Sequence, residues 1–203
     1  MIIDYLNDKC FAIENGASDE SRTGDVYFKT DEVCKDITFR NFVTLHLSDT
    51  LFENCNFKNC LEICIDGSDM RNCNFNNVNC VAGAETDFIG CTFKNCCSDN
   101  TVLSINNKGR VEDSIFDTIT TLGIDSYIVN AVYEDEYCVQ KIKNCRFIDC
   151  QLDNKDGKLC FCTYSEPISR LKIADIDNLD YDTCDFCNIT NTRGDIDANE
   201  EDI

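Results

Sequence analysis

The cysteines are the residues whose number and spacing first suggest chemistry. Seventeen of the 203 residues are cysteine, and the segment FENCNFKNC, residues 52–60, places two of them five positions apart. Closely spaced cysteines serve as zinc ligands, redox pairs or disulfide partners. Cys184 and Cys187 form a CxxC pair. A structural zinc site generally requires two such pairs, and a redox-active CxxC is typically found next to a βαβ unit. We therefore expect reduced thiols, with no metal and no cofactor.

Carboxylates offer a second kind of chemistry. Five of them follow repeated phenylalanines by nine to twelve positions: Asp49, Asp66, Asp69, Glu85 and Asp87. Such groups act as acid pairs in glycoside hydrolysis or as Ca²⁺ ligands. Sugar-binding clefts usually display tryptophan, however, and this chain has none. His46, the only histidine, is expected to face solvent, so no Ser-His-Asp or Cys-His site is predicted.

The charge balance favours one kind of partner. The chain has 38 acidic and 18 basic residues, a net charge of −20. Such a surface repels nucleic acid and anionic lipid and attracts basic proteins. The first residues, MIIDYLNDKC, do not resemble a signal peptide, and no apolar run is long enough to cross a membrane. We expect a cytoplasmic protein of a bacterial host, of bacterial or phage origin.

A repeat organises most of the sequence. It is marked by seven phenylalanines: Phe39, Phe57, Phe75, Phe93, Phe116, Phe147 and Phe186. The first four lie 18 residues apart, and the later spacings are 23, 31 and 39. Positions five and two before each Phe, and three after it, are small or apolar, which indicates that they face inward. Asn or a similar residue stands two after each Phe, where a left-handed turn suits it.

Short strands connected by turns explain this pattern. The Cys-x-Phe alternation predicts one strand, and a second is predicted six to eight positions after each Phe, as at Leu45 with Leu47 and at Leu122 with Ile124. Segments this short do not support an amphipathic helix. The sequence therefore predicts a solenoid of stacked parallel strands, in which the cysteines fill a narrow interior.

The motif NCNFKNC, residues 54–60, resembles the coils of the pectate-lyase-like superfamily. It also resembles pentapeptide-repeat proteins in its five-residue spacing. The first resemblance implies an all-β, single-stranded right-handed parallel β-helix of about seven coils. It does not determine function, because such helices include lyases, adhesins and inhibitors.

The predicted organisation has three parts. Residues 1–33 form an N-terminal cap, residues 34–190 form the β-helix, and residues 191–203 form an acidic, disordered tail. The later coils carry insertions near 125–141 and 151–180, and insertions in solenoids often emerge on the binding face.

The function predicted from these observations is binding rather than catalysis. We expect a small inhibitor of a basic, nucleic-acid-handling protein, of the phage anti-defence, anti-CRISPR or immunity type, with acidic ladders that imitate a nucleic-acid backbone. A carbohydrate-active β-helix, lyase or hydrolase, and a cation-binding or purely structural solenoid are the alternatives. The predicted partner-binding residues are the five carboxylates above and a second group in the first insertion. This second group comprises Tyr127, Tyr133, Glu134, Asp135, Glu136 and Tyr137.

Overall fold

The structure is a computed structural model of the 203-residue chain. It describes residues 1–4, 25–30, 32–106, 109–133, 142–153, 160–164 and 184–192. These residues form short strands and turns, and every strand pairing among them is parallel. The predicted all-β parallel solenoid is confirmed.

The strands belong to four sheets that run along the solenoid. The eight-stranded sheet contains Ile2–Asp4, Thr38–Arg40, Asn56–Lys58, Asn74–Asn76, Thr92–Lys94, Ile115–Asp117, Arg146–Ile148 and Asp185–Cys187. The seven-stranded sheet contains Asp25–Lys29, Thr44–Ser48, Glu62–Asp66, Cys80–Ala84, Thr101–Asn106, Tyr127–Tyr133 and Cys160–Tyr164.

Two smaller sheets contain the remaining strands. The six-stranded sheet contains Cys34–Lys35, Leu51–Glu53, Asp69–Arg71, Asp87–Ile89, Arg110–Glu112 and Ile142–Lys143. The four-stranded sheet begins only at the later coils and contains Cys97–Ser98, Thr120–Thr121, Gln151–Leu152 and Thr190–Asn191.

Residues in the left-handed backbone conformation turn the chain at three corners of the coil. The corner after the eight-stranded sheet has positive φ at the predicted column: Asn41, Asn59, Asn77, Asn95, Thr118, Asp149 and Asn188. The other two corners use residues such as Asn54 and Asn72, and Asp49 and Glu85. Asn and Asp tolerate this conformation because their short polar side chains bond locally. The amides also bond along the column, as from Asn77 Nδ2 to Asn59 Oδ1 at 2.9 Å.

The repeated phenylalanines form one continuous stack inside the solenoid. Neighbouring ring centroids from Phe39 to Phe186 are 4.7–5.3 Å apart, and their planes differ by 5–11°. Phe52 and Phe88 pack beside this stack at about 6 Å. Gly83 occupies an inward position because a Cβ there would lie 2.9 Å from the Phe88 ring. Ring stacking therefore fixes the parallel register from coil to coil.

The cysteines pack as predicted, and they also make hydrogen bonds. Cys55, Cys73, Cys91 and Cys145 are fully buried. Cys55 donates its thiol to the carbonyls of Glu53, at 3.5 Å, and of Cys34 in the adjacent coil, at 3.3 Å. The same bond to the carbonyl two residues earlier is made by Cys60, Cys73, Cys91, Cys96, Cys145, Cys150, Ser114, Ser68, Thr50 and Thr86. Most of these inward corner positions therefore hold a small side chain with a donor, and Ile37, Phe42, Val78 and Ile119 are apolar exceptions.

Two details differ from the sequence prediction. Leu122 and Ile124, expected to point inward, are 55% and 51% exposed. The inserted strand Thr120–Thr121 of the four-stranded sheet delays the next inward pair, so Val129 rather than Leu122 pairs with Leu103. The number of turns is also smaller than the predicted seven, since the described coils from Phe39 to Phe147 make about five. Right-handedness stays a prediction.

The predicted boundaries fall partly within the ladders. In the proposed cap 1–33, Ile3 pairs with Phe39 and Tyr27 pairs with His46, and residues 5–24 lie outside the described residues. The proposed insertions at 125–141 and 151–180 each supply a strand to the seven-stranded sheet. The first residue of the predicted tail, Asn191, pairs with Leu152, and the tail from residue 193 onward is not described.

Candidate partner-binding surface

The five predicted carboxylates lie along one corner, between the seven-stranded and six-stranded sheets. Asp49 and Glu85 are corner residues with φ values of 49° and 50°, and Gly67 occupies the corner between them. Asp66 ends a strand of the seven-stranded sheet. Asp69 and Asp87 begin strands of the six-stranded sheet. The repeat thus brings these residues together, as predicted.

Most of these carboxylates have a basic neighbour. Asp49 pairs with Lys29, Asp69 with Arg71 at 3.3 Å, and Asp87 with Arg110 at 2.8 Å. The hydrogen bond from Arg110 to Asp87 raises the pKa of that guanidinium. Among the ion pairs of the described residues, none involves Asp66 or Glu85. The corner therefore alternates in charge rather than forming an uninterrupted acidic ladder.

The second predicted group has a different placement. Tyr127 pairs with Thr101 in the seven-stranded sheet and is only 6% exposed, so its ring packs against the solenoid. Tyr133 ends the same strand and pairs with Tyr164. Glu134, Asp135, Glu136 and Tyr137 lie outside the described residues. A binding role for this group stays a prediction.

A groove of about 460 Å³ lies on the outer face of the seven-stranded sheet. On this outer face, the outward residues of successive strands are Tyr27, His46, Cys64, Ala82, Ser104 and Asn130 in one column, and Lys29, Ser48, Asp66, Ala84 and Asn106 in the next. The alanines form the floor because their side chains are shorter than those at either end. This face varies from coil to coil, whereas the interior repeats.

An aromatic pair forms one end of this groove. The rings of Tyr27 and His46 stack at 4.2 Å with planes 8° apart, and both residues line the groove or its rim. The outward placement of His46 matches the sequence prediction. Sequence reasoning missed Tyr27 as its partner, although Val26 and Phe28 alternate with it as buried neighbours in a strand.

Polar acceptors line the other side of the groove. Asp66 contributes its carboxylate, and Asn106 contributes its side-chain amide. The Oδ1 atoms of Asn106 and Asn130 are buried and accept no hydrogen bond. A buried carbonyl oxygen without a donor is costly. The groove surface itself presents the Asp66 carboxylate as its charged acceptor.

The outer face of the eight-stranded sheet is basic and rich in amides. Arg40, Lys58 and Lys94 follow the stacked phenylalanines, as the sequence indicated. Arg40 Nε donates to the buried Asp4 carboxylate at 2.7 Å, and Lys94 Nζ donates to Asp117 at 2.6 Å. The bond from Lys94 lowers the pKa of Asp117. The acidic excess is therefore not spread evenly over the faces.

The described part of the chain shows neither a metal-binding cluster nor a membrane-spanning helix. No group of three or more His, Cys, Asp or Glu side chains there is arranged to hold a metal ion. Within the same residues, no helix is long and apolar enough to cross a membrane.

Comparisons with known proteins give only one weak structural similarity to report. No protein-family model and no curated protein matches the chain. Among solved structures, the chain is similar to a candidate glycosyl hydrolase from Parabacteroides merdae, at 9% identity over 85% of this chain and 81% of that chain. The TM-score is 0.28, so this likeness carries no argument about activity.

Proposed function

We propose that this protein is a non-catalytic binding protein that captures and inhibits a basic, nucleic-acid-handling partner. An inhibitor of bacterial or phage origin acting in the cytoplasm, of the counter-defence or immunity type, fits a net charge of −20. The observation that carries the proposal is the groove on the seven-stranded sheet, where an exposed aromatic pair adjoins the Asp66 carboxylate.

The pattern of ion pairs defines how the partner is attracted. Carboxylates that already have a basic neighbour offer little net charge to a second one, whereas Asp66 and Glu85 retain theirs. Unpaired charge increases the rate of encounter with an oppositely charged protein. We therefore expect recognition through the groove, with its Asp66 carboxylate, and through Glu85 at the adjoining corner, rather than through imitation of a nucleic-acid backbone along the whole corner.

A polysaccharide hydrolase has less support. Glycoside hydrolysis generally uses two carboxyl groups that flank the scissile bond, about 5–9.5 Å apart. Asp66 is the sole carboxylate among the described residues that line the groove. Binding of a basic side chain requires only one carboxylate.

Matched charge changes test the proposal. The partner is first captured from host lysate, and association and dissociation rates are then measured over a range of salt concentrations. We expect the double variant Asp66→Asn, Glu85→Gln to associate about tenfold more slowly and with a flatter salt dependence. The control Asp69→Asn, Asp87→Asn removes the same number of carboxylates from the same corner but only paired ones, and should change the rate less. Equal effects of the two variants, or none, would contradict the proposal.

A further inference from the structure

We propose that the groove holds an arginine side chain of the partner, with its guanidinium stacked on His46 and paired with Asp66. This inference rests on the proposed function, because it names the chemical group that a basic partner inserts.

The direction of the aromatic stack provides the first step. Tyr27, His46 and Cys64 occupy the same position on three successive paired strands. The Tyr27 and His46 rings are parallel and stacked, so their planes face along the solenoid axis. One face of His46 is covered by Tyr27, and the other is directed toward the coil of Cys64. A planar group placed there continues the stack as a third layer.

Space for such a group exists because the next side chains are small. Cys64 and Ala82 follow His46 in its column, and Ala84 follows Asp66 in the neighbouring column. The groove volume of about 460 Å³ is ample for one guanidinium and part of its aliphatic stem. The stem would lie over the alanine methyl groups, as arginine stems commonly do over apolar surface.

The acceptors match the donors of arginine. Asp66 lies two residues beyond Cys64 on the same strand and face, about 6.6 Å along the strand. It can accept the paired N–H groups of a guanidinium stacked on His46. Asn106 lines the groove on the same side and contributes a side-chain amide there. Arginine has five N–H donors and no acceptor, which suits this set of groups.

The other ligand classes fit less well. Lysine has no planar group to stack on the imidazole. Nucleotides bring phosphates, which the net charge of −20 repels. No Lys or Arg is among the described residues that line the groove. Lys29, the basic residue in the Asp66 column, pairs with Asp49 at the rim.

The single histidine makes a direct test possible. The ring-proton NMR signals of His46 are followed during titration with N-acetyl-arginine methylamide, and separately with the matched lysine compound, both of charge +1. We expect saturable shifts with the arginine probe and at least tenfold weaker binding of the lysine probe. Asp66→Asn should weaken arginine binding about tenfold, and Ala82→Leu, which fills the groove without changing charge, should abolish it.

Controls separate this inference from the proposed function. Asp36→Asn removes an exposed carboxylate at a different corner and should leave the titration unchanged. Ala84→Leu provides a second way to fill the groove if Ala82→Leu does not fold. Equal binding of the two probes, or full arginine binding by a filled groove, overturns the arginine site but leaves capture of a basic partner intact. A stronger His46 response to a neutral monosaccharide or a nucleoside overturns it as well.

Discussion

The inner and outer faces of the same strands follow opposite rules. Inside, successive coils repeat the same side chain, and the Phe57, Phe75 and Phe93 rings stack directly. Outside the seven-stranded sheet, Tyr27, His46, Cys64 and Ala82 succeed one another in a single column. Stacking favours identity in a dry interior, whereas outward side chains face solvent and need not match from coil to coil. The repeat therefore determines the fold, and the departures from it determine what the surface can bind.

The largest expected effect comes from breaking the inner stack. We expect Phe75→Ala to lower the free energy of unfolding by about 3–5 kcal/mol, because a buried ring between two others is lost and a cavity remains. Chemical denaturation measures the change. Phe186→Ala is the matched control, since this ring is only partly buried and stacks on Phe147 at the end of the column. A loss at Phe186 equal to that at Phe75 would contradict the role assigned to the continuous stack.

The buried thiols predict a loss of stability at alkaline pH. Burial raises the pKa of Cys60 and of Cys96 from an ordinary value of about 9 to about 11. Their protonated forms stabilise the fold fully below pH 9, and this contribution is lost as the pH rises through 11. Each thiol accounts for about 3 kcal/mol over that interval.

Urea unfolding between pH 8 and pH 11 measures this dependence. Cys60→Ser keeps a donor to the Lys58 carbonyl and removes the titrating thiol, as Ser114 does naturally in another inward column. We expect this variant to show a shallower decline. An unchanged decline in Cys60→Ser would assign the pH dependence to other groups.

The smallest effects on stability are expected on the outer face. Asp66→Asn and Ala82→Leu should each change the free energy of unfolding by no more than about 0.5 kcal/mol, because surface substitutions outside packed or bonded sites rarely do more. The same two changes are expected to impair binding at the groove. Thermal unfolding alongside the NMR titration tests both expectations. Destabilisation comparable to that of Phe75→Ala would remove the contrast between the faces.

Sequence periodicity was sufficient to predict the fold but not to predict the groove. Through the first four coils, the Phe column and the asparagines in left-handed conformation recur every 18 residues, and local turn chemistry explains the asparagines. The groove depends on Tyr27 facing His46, which is 19 residues away and therefore off the period. The corner thiols were predicted to pack, but their bonds to backbone carbonyls were not. Ser114 in a cysteine column and Ser68 at another corner could have indicated these bonds, because a buried serine hydroxyl needs an acceptor.

The later coils show where local alternation misleads. Leu122 and Ile124 alternate as a strand would, yet the preceding strand Thr120–Thr121 belongs to a sheet that the first coils lack. An added sheet shifts every later position of its coil without changing the local pattern. Only the pairing of Val129 with Leu103 reveals the true register.

The regular 18-residue coil also makes length an adjustable property of this molecule. Residues 57–74 begin at one stacked ring and end immediately before the next, and each side of the segment presents the surface that its neighbour accepts. A tandem duplication of this segment would insert one complete layer, about 4.8 Å thick, without opening a cavity. It would carry a second copy of Cys64 and Asp66, extending the groove by one step. Chains of this kind can thus match binding partners of different sizes through gain or loss of whole layers.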